Sequence, residues 1–144
     1  MIFNMWNYMT KKEIDQLSYE IVGAIIEVHK IVGPGMLEKF YQRCLAREFK
    51  LRGISYENEL IIPYDYKGES IHLNLICDFF VENSIVVELK AVQEMHPIFN
   101  AQIISYMKVL NAPKGILVNF NVENIFKQGQ KTFVNKIYDR LPDY

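Results

Sequence analysis

The stretch Ile85-Val86-Val87-Glu88-Leu89-Lys90 constrains the fold more than any other part of the chain. Its β-branched, apolar run reads as a buried strand, and the run ends on two charges. Strand side chains alternate between faces, so Glu88 and Lys90 share one face while Leu89 points into the opposite layer. Charges at the end of a buried strand are costly unless something pairs with them. That partner is each for the other, a metal ion, or a substrate. Asp78 closes another strand-like run upstream and brings a second acid to the same sheet edge.

The hydrophobic period changes along the chain and sets the order of elements. Thr10-Lys11-Lys12-Glu13 has the form of a capping box. Ile14, Leu17, Ile21, Ile25, Val28 and Val32 follow at steps of three or four, which predicts an amphipathic helix. Gly33-Pro34-Gly35 ends it. A second helix is expected over 37–51, closed by Gly53. Strands are expected over 55–66 and 70–77, joined as a hairpin by Lys67-Gly68-Glu69. Residues 78–81 continue or kink the second strand, Glu82-Asn83 turns the chain, and 84–90 form the third strand. A helix begins near Pro97, a residue suited to a first helical turn, and runs to about Leu110. Asn111-Ala112-Pro113 breaks it, and 114–120 read as a buried strand. Beyond Val122 a short helical or irregular piece should precede a strand or helix over 131–138. The step from the third strand through a helix to the fourth predicts a right-handed crossover with parallel strands. The result is an α/β domain spanning 1–144 with a mixed central sheet, residues 1–10 and the C-terminal tail being peripheral.

Composition removes several classes of function. The 144 residues suit one domain, and 50% hydrophobic content is enough for a packed core. A net charge of -1 means that nucleic-acid binding would need a local patch or a metal, not global attraction. Cys44 and Cys77 make neither a disulfide framework nor a zinc pattern and read as buried thiols in a reducing cytoplasm. No apolar run approaches the roughly 20 residues that span a bilayer. Met1-Ile2-Phe3-Asn4-Met5-Trp6 lacks the basic start and cleavage site of a signal peptide. Gly33-Pro34-Gly35 is not followed by the Gly-Lys-Ser/Thr of a nucleotide-binding loop, and no Gly-x-Ser-x-Gly elbow exists. His29, His72 and His96 share no ligand spacing.

Gly35-Met36-Leu37-Glu38-Lys39-Phe40-Tyr41 fits the pattern G-x-x-E-x-x-Y. Asp78, Glu88-Leu89-Lys90, Ala101-Gln102 and Leu117-Val118-Asn119-Phe120 follow in order. As an ordered set these motifs resemble the GxxExxY protein family, which is assigned to the PD-(D/E)XK nuclease-like superfamily. The likeness covers roughly 14–134. It implies a restriction-endonuclease-like core: a mixed sheet flanked by helices, with the site at one sheet edge. It implies that Asp78 and Glu88 are ligands of Mg²⁺ or Mn²⁺, with the Leu89 carbonyl beside them. Lys90 would orient the attacking water and stabilise developing charge. Glu38 would be a further ligand or a partner of Lys90, and Gln102 a supporting polar residue. The chain departs from the family pattern at Ile76, where a basic residue is usual, and at Phe99-Asn100, where a His-Glu pair is usual.

Plainer roles compete with these. Asp78, Glu88 and Lys90 would also suit a structural ion pair with a turn aspartate. Glu38 would favour a helix N-terminus by its charge alone. Gln102 fits a satisfied core amide. Tyr41 and Tyr106 read as packing residues with a polar tip at the site rim, which leaves Tyr41 a candidate substrate contact. Lys39, Arg43, Arg47 and Lys50 recur at helical spacing. They read first as a solvated helix face and second as a phosphate track. Two functions remain open: a metal-dependent nuclease acting on DNA before RNA, or a nuclease-like domain that binds nucleic acid or protein without cleaving. A C2 dimer would let two sites reach the two strands of a duplex.

Overall fold

The computed structural model describes residues 9–71 and 75–144. Helix α1 (Lys11–Val32) opens with the expected capping box. Thr10 Oγ1 accepts from the Glu13 amide, and Glu13 Oε1 accepts from the Thr10 amide, both at 3.1 Å. Gly33, with φ 74°, ends the helix, and Gly35, with φ 102°, carries the connection into α2 (Glu38–Leu51). Both angles lie where a side chain would strain the backbone.

The strands are β1 (Tyr56–Ile61), β2 (Tyr64–Tyr66), β3 (Glu69–Ile71), β4 (Ile76–Val81) and β5 (Ile85–Lys90). Helix α3 (Ile98–Leu110), β6 (Lys114–Asn119), α4 (Ile125–Gln128), β7 (Gln130–Val134) and α5 (Lys136–Asp139) complete the chain. The main sheet has the order β1-β4-β5-β6-β7. All its neighbours are antiparallel except β5 and β6, which run parallel as the α3 crossover requires. The expected architecture, a mixed sheet flanked by helices, is therefore present.

The long hairpin differs from expectation in both arms. The 70–77 arm is divided between β3 and β4, and β4 runs on to Val81, as a continued second strand would. Residues 55–66 form two strands rather than one, because Pro63 has no amide to give to a ladder. The amide of Ile62 still reaches the Leu75 carbonyl at 2.7 Å, but beyond it β2 and β3 form a separate ribbon. In the tail both alternatives for 131–138 occur: β7 first, then α5. Trp6 and His72 lie outside the described residues.

Two apolar layers hold the sheet. On one face Ile14, Ile21 and Ile25 of α1 and Leu45 and Phe49 of α2 pack on Phe79, Val87, Leu89 and Val118. On the other face Ile103, Tyr106 and Met107 of α3 cover Cys77, Phe80, Val86 and Leu117. Helix α3 lies so close to β6 that a Cβ at Gly115 would stand 2.7 Å from Met107 Sδ. Both cysteines are free; Cys77 is buried as expected, whereas Cys44 is only half-buried. Among the described residues no helix is long and apolar enough to cross a membrane.

Candidate active site

The sheet is irregular where the two acids meet. The β4–β5 ladder pairs Val81 with Ile85, Phe80 with Val86 and Phe79 with Val87, then stops. Side chains take over from there. Asp78 Oδ2 accepts from the Leu89 amide at 2.8 Å, and Glu88 Oε1 accepts from the Asp78 amide at 3.0 Å. Each carboxylate thus fills a backbone position that a regular ladder would have filled. The β1–β4 ladder also skips this point: Asn58 faces Phe79 and Leu60 faces Cys77, with Glu59 and Asp78 outside the pairing. Glu59 has φ 52°, an uncommon conformation for a residue other than glycine. Strand β4 rolls here, so that Cys77 and Phe80 both join the α3-side core although alternation would separate them.

Asp78 is held from three elements. Besides Leu89 of β5, Gln42 Nε2 of α2 lies 3.4 Å from its Oδ1, and Asn58 Nδ2 of β1 donates to its carbonyl at 2.9 Å. Gln42 and Asn58 had no role in the sequence reading. Gln42 sits one helical turn after Glu38, and that spacing places both on the same side of α2. Glu38 joins the site electrostatically. Its carboxyl is raised by burial first and by Asp78 second, while Lys90 and Lys39 pull it down.

Glu88 is only 3% exposed. Burial, and then the charge of Asp78, push its carboxyl up to about 8. Burial also raises Asp78, but the Leu89 amide and Lys90 oppose the shift. Of the pair, Glu88 is the acid whose neighbours press it hardest toward its protonated form. Lys90 lies on the same strand face as Glu88, with its Nζ 4.5 Å from the centre of the Phe99 ring. Among the described residues neither acid nor Lys90 makes a salt bridge. The reading of these charges as a structural ion pair therefore fails.

The remaining candidates divide. Gln102 donates to the Tyr106 hydroxyl at 3.2 Å. Burial first and the nearby Glu88 carboxyl second raise the Tyr106 hydroxyl, so Gln102 meets the site through it. Tyr41 must be corrected as a substrate contact. It is 0% exposed and stacks on Phe120 at 4.4 Å. Its hydroxyl donates to the Gly33 carbonyl at 2.6 Å and accepts from the Met36 amide at 3.1 Å. Tyr41 fastens the turn that Gly35 makes possible, and that turn aims Glu38. This gives the G-x-x-E-x-x-Y spacing a physical reason. Asn119 of β6 stands beside Lys90 in register and holds the chain leaving β5. Its Oδ1 accepts from the Val92 amide at 3.1 Å and its Nδ2 donates to the Val92 carbonyl at 2.9 Å. Lys39, Arg43, Arg47 and Lys50 line a groove of about 630 Å³ between α2 and β1, with Gln42 and Asn58 among its lining.

The donor set suits a hard divalent cation. Two carboxylates meet where β4 and β5 part; burial raises both, and the charge of Asp78 raises Glu88 further. Among the described residues no three His, Cys, Asp or Glu side chains gather into a metal-holding group. No curated protein and no solved structure matches the chain. A family model described as the PD-(D/E)XK nuclease superfamily matches residues 15–133, which include every element of the site. The chain belongs to the PD-(D/E)XK nuclease superfamily.

Proposed function

We propose that this protein hydrolyses phosphodiester bonds of nucleic acid, DNA before RNA, with Mg²⁺ or Mn²⁺ as cofactor. One observation carries the reading: a buried carboxylate, Glu88, and a half-buried one, Asp78, meet without a salt bridge at a break in the sheet, with Lys90 on the same strand as Glu88. Asp78, Glu88 and the Leu89 carbonyl would hold the ion. The Leu89 amide faces Asp78, and in an extended strand the carbonyl of a residue projects to the same side as its amide. Glu38 would contribute through a water or orient Lys90. Such an ion, when bound, polarises a phosphoryl oxygen and lowers the pKa of water.

The chain's own residues supply the rest. Burial raises the Asp78 carboxyl, and the Leu89 amide and Lys90 favour its charge against that burial. Glu88 would have to be deprotonated to serve as a ligand. Lys90, held over Phe99, offers positive charge where the phosphorus centre gains negative charge. Gln102 keeps the Tyr106 hydroxyl in place on the α3 side of the sheet. The motif order and the Gly33–Tyr41 turn support membership of the GxxExxY family within the superfamily. The free thiols suit a reducing cytoplasm, and a twofold dimer would suit duplex cleavage.

Calorimetric titration of Mn²⁺ into the parent, Asp78→Ala and Glu88→Ala proteins tests the reading. Binding is expected in the parent and lost in both variants, with release of a proton near pH 7 because Glu88 titrates at about 8. Equal binding in all three would refute it. A second reading, a domain that binds without cleaving, is favoured by one observation: the protein's own amides already occupy one oxygen of each acid. Metal-independent folding with no cleavage of DNA or RNA would support it.

A further inference from the structure

We infer that the groove between α2 and β1 carries one strand of the polynucleotide toward Asp78, and that Glu59 occupies a phosphate position when the strand is absent; this rests on the nucleic-acid substrate proposed above. Four cations, Lys39, Arg43, Arg47 and Lys50, project from one side of α2 into a concave groove, although the whole chain has a net charge of -1. Three neighbouring cations are answered, Lys11 by Asp143, Arg52 by Glu48 and Lys114 by Asp15, while Lys12 and Lys30 of α1 make no salt bridge among the described residues and do not line this groove. In the groove only Lys39 is paired, with Glu59, and among the described residues Arg43, Arg47 and Lys50 make no salt bridge. Unanswered cations in a concavity concentrate field and attract a polyanion.

The groove's position points to its use. Its inner end is lined by Gln42 and Asn58, the two side chains that reach Asp78 from outside β5. From Lys39 to Lys50 the helix rises about 16 Å. That is roughly the axial length of five nucleotides in one strand. A strand lying there would place its backbone along the cations and one phosphodiester beside Asp78. Glu59 faces the groove from a left-handed backbone position and answers Lys39, which also donates to Gln42 Oε1 at 3.3 Å. A phosphate arriving at Lys39 takes over the contact that Glu59 makes in the free protein.

The test measures binding by anisotropy of a fluorescein-labelled DNA strand and of its duplex, in EDTA, across a salt series. The proteins are the parent, the Arg43→Gln/Arg47→Gln/Lys50→Gln variant and Glu59→Gln. These side chains are exposed, so both variants should fold. The triple variant is expected to bind roughly tenfold or more weakly, with a salt slope reduced by about two to three. Glu59→Gln is expected to bind severalfold more tightly. The polymer form with the larger change in slope is the one the groove carries. Unchanged affinity and slope in the triple variant, or weaker binding by Glu59→Gln, overturns the inference. Polyglutamate that displaces the DNA at equal charge also overturns it, in favour of an acidic protein partner. Failure of the nuclease reading looks different: binding that depends on the groove, with no cleavage of any polymer. Cleavage by the parent that the triple variant matches would remove the groove and leave the nuclease.

Discussion

The parallel strands β5 and β6 carry a lysine cluster at each end, and the two clusters are built on opposite principles. At the start of β6, Lys114 is largely buried and paired with Asp15 of α1 at 3.1 Å. The Tyr138 hydroxyl donates to the same carboxylate, 3.0 Å from each oxygen, so every charge there has an answer. At the far end of β5, Lys90 lies over an aromatic ring and makes no salt bridge among the described residues, while burial and Asp78 disfavour the charge of Glu88. The first cluster ties the tail and β6 to α1. The second leaves electrostatic demand unmet inside the protein, and such unmet demand marks sites that act on something else. Their placement agrees with a general tendency of open α/β sheets to bind ligands beyond the carboxyl ends of parallel strands.

The largest expected effect separates the two lysines directly. Lys90→Met should lower cleavage by roughly 10²–10³-fold, the scale of losing one charge-stabilising group. Its melting temperature should hardly change, because Met keeps a favourable contact with the Phe99 ring. Lys114→Met should leave cleavage as in the parent and alter stability by about 1 kcal/mol or less. The methionine fills the buried space, and the half-exposed Asp15 left behind can be solvated. Cleavage assays and thermal melts on both variants check the contrast. A Lys90→Met protein as active as the parent would erase it.

The next effect concerns protons. Burial and Asp78 push Glu88 up to about 8, whereas an unfolded chain would release the same proton near 4.5. The folded state therefore binds this proton more tightly. The stability it contributes is present in full below about pH 4.5 and is lost as the pH rises toward about 8. Glu88→Gln removes the titration. Without metal it should be more stable than the parent by about 1–2 kcal/mol above pH 8, with the gap closing toward pH 5. Mn²⁺ should stabilise the parent and not the variant. Melts in EDTA across this range decide it: parent and variant curves that run parallel would mean that Glu88 does not hold the proton.

Much of this was legible because strong periodicity marks elements that tertiary contacts merely confirm. The capping box at Thr10, the α1 stripe and the Ile85–Lys90 strand stand where the pattern puts them. The break at Pro63 was legible in principle, since a missing amide interrupts a ladder whatever the neighbours are. Gln42 and Asn58 were not. Their role depends on α2 and β1 flanking β4, a long-range pairing that no local spacing encodes. The same holds for Phe99, whose ring meets Lys90 only after the crossover returns the chain to β5. The packing role of Tyr41 is legible, but its turn contact is not, because a tyrosine beside an acid looks alike in sequence whether its hydroxyl faces solvent or fastens a turn. The basic stripe read as a solvated face because a helix viewed alone has no opposing wall; β1 supplies the wall and makes the groove.

The smallest expected effect tests whether the paired cluster is as closed as its geometry implies. Tyr138→Phe removes one hydroxyl and leaves the Lys114–Asp15 pair and the ring beneath Lys114 in place. Losing one hydrogen bond to a charged, half-exposed acceptor should cost about 1 kcal/mol, and water can answer the freed Asp15 oxygens. A shift of about 2–4 °C in melting temperature is expected, with cleavage and Mn²⁺ binding as in the parent. The contact joins α5 to α1 across the sequence, so hydrogen exchange should quicken first in the tail. If cleavage fell along with stability, the two ends of the parallel pair would be coupled, and the division between a closed cluster and an open one would be wrong.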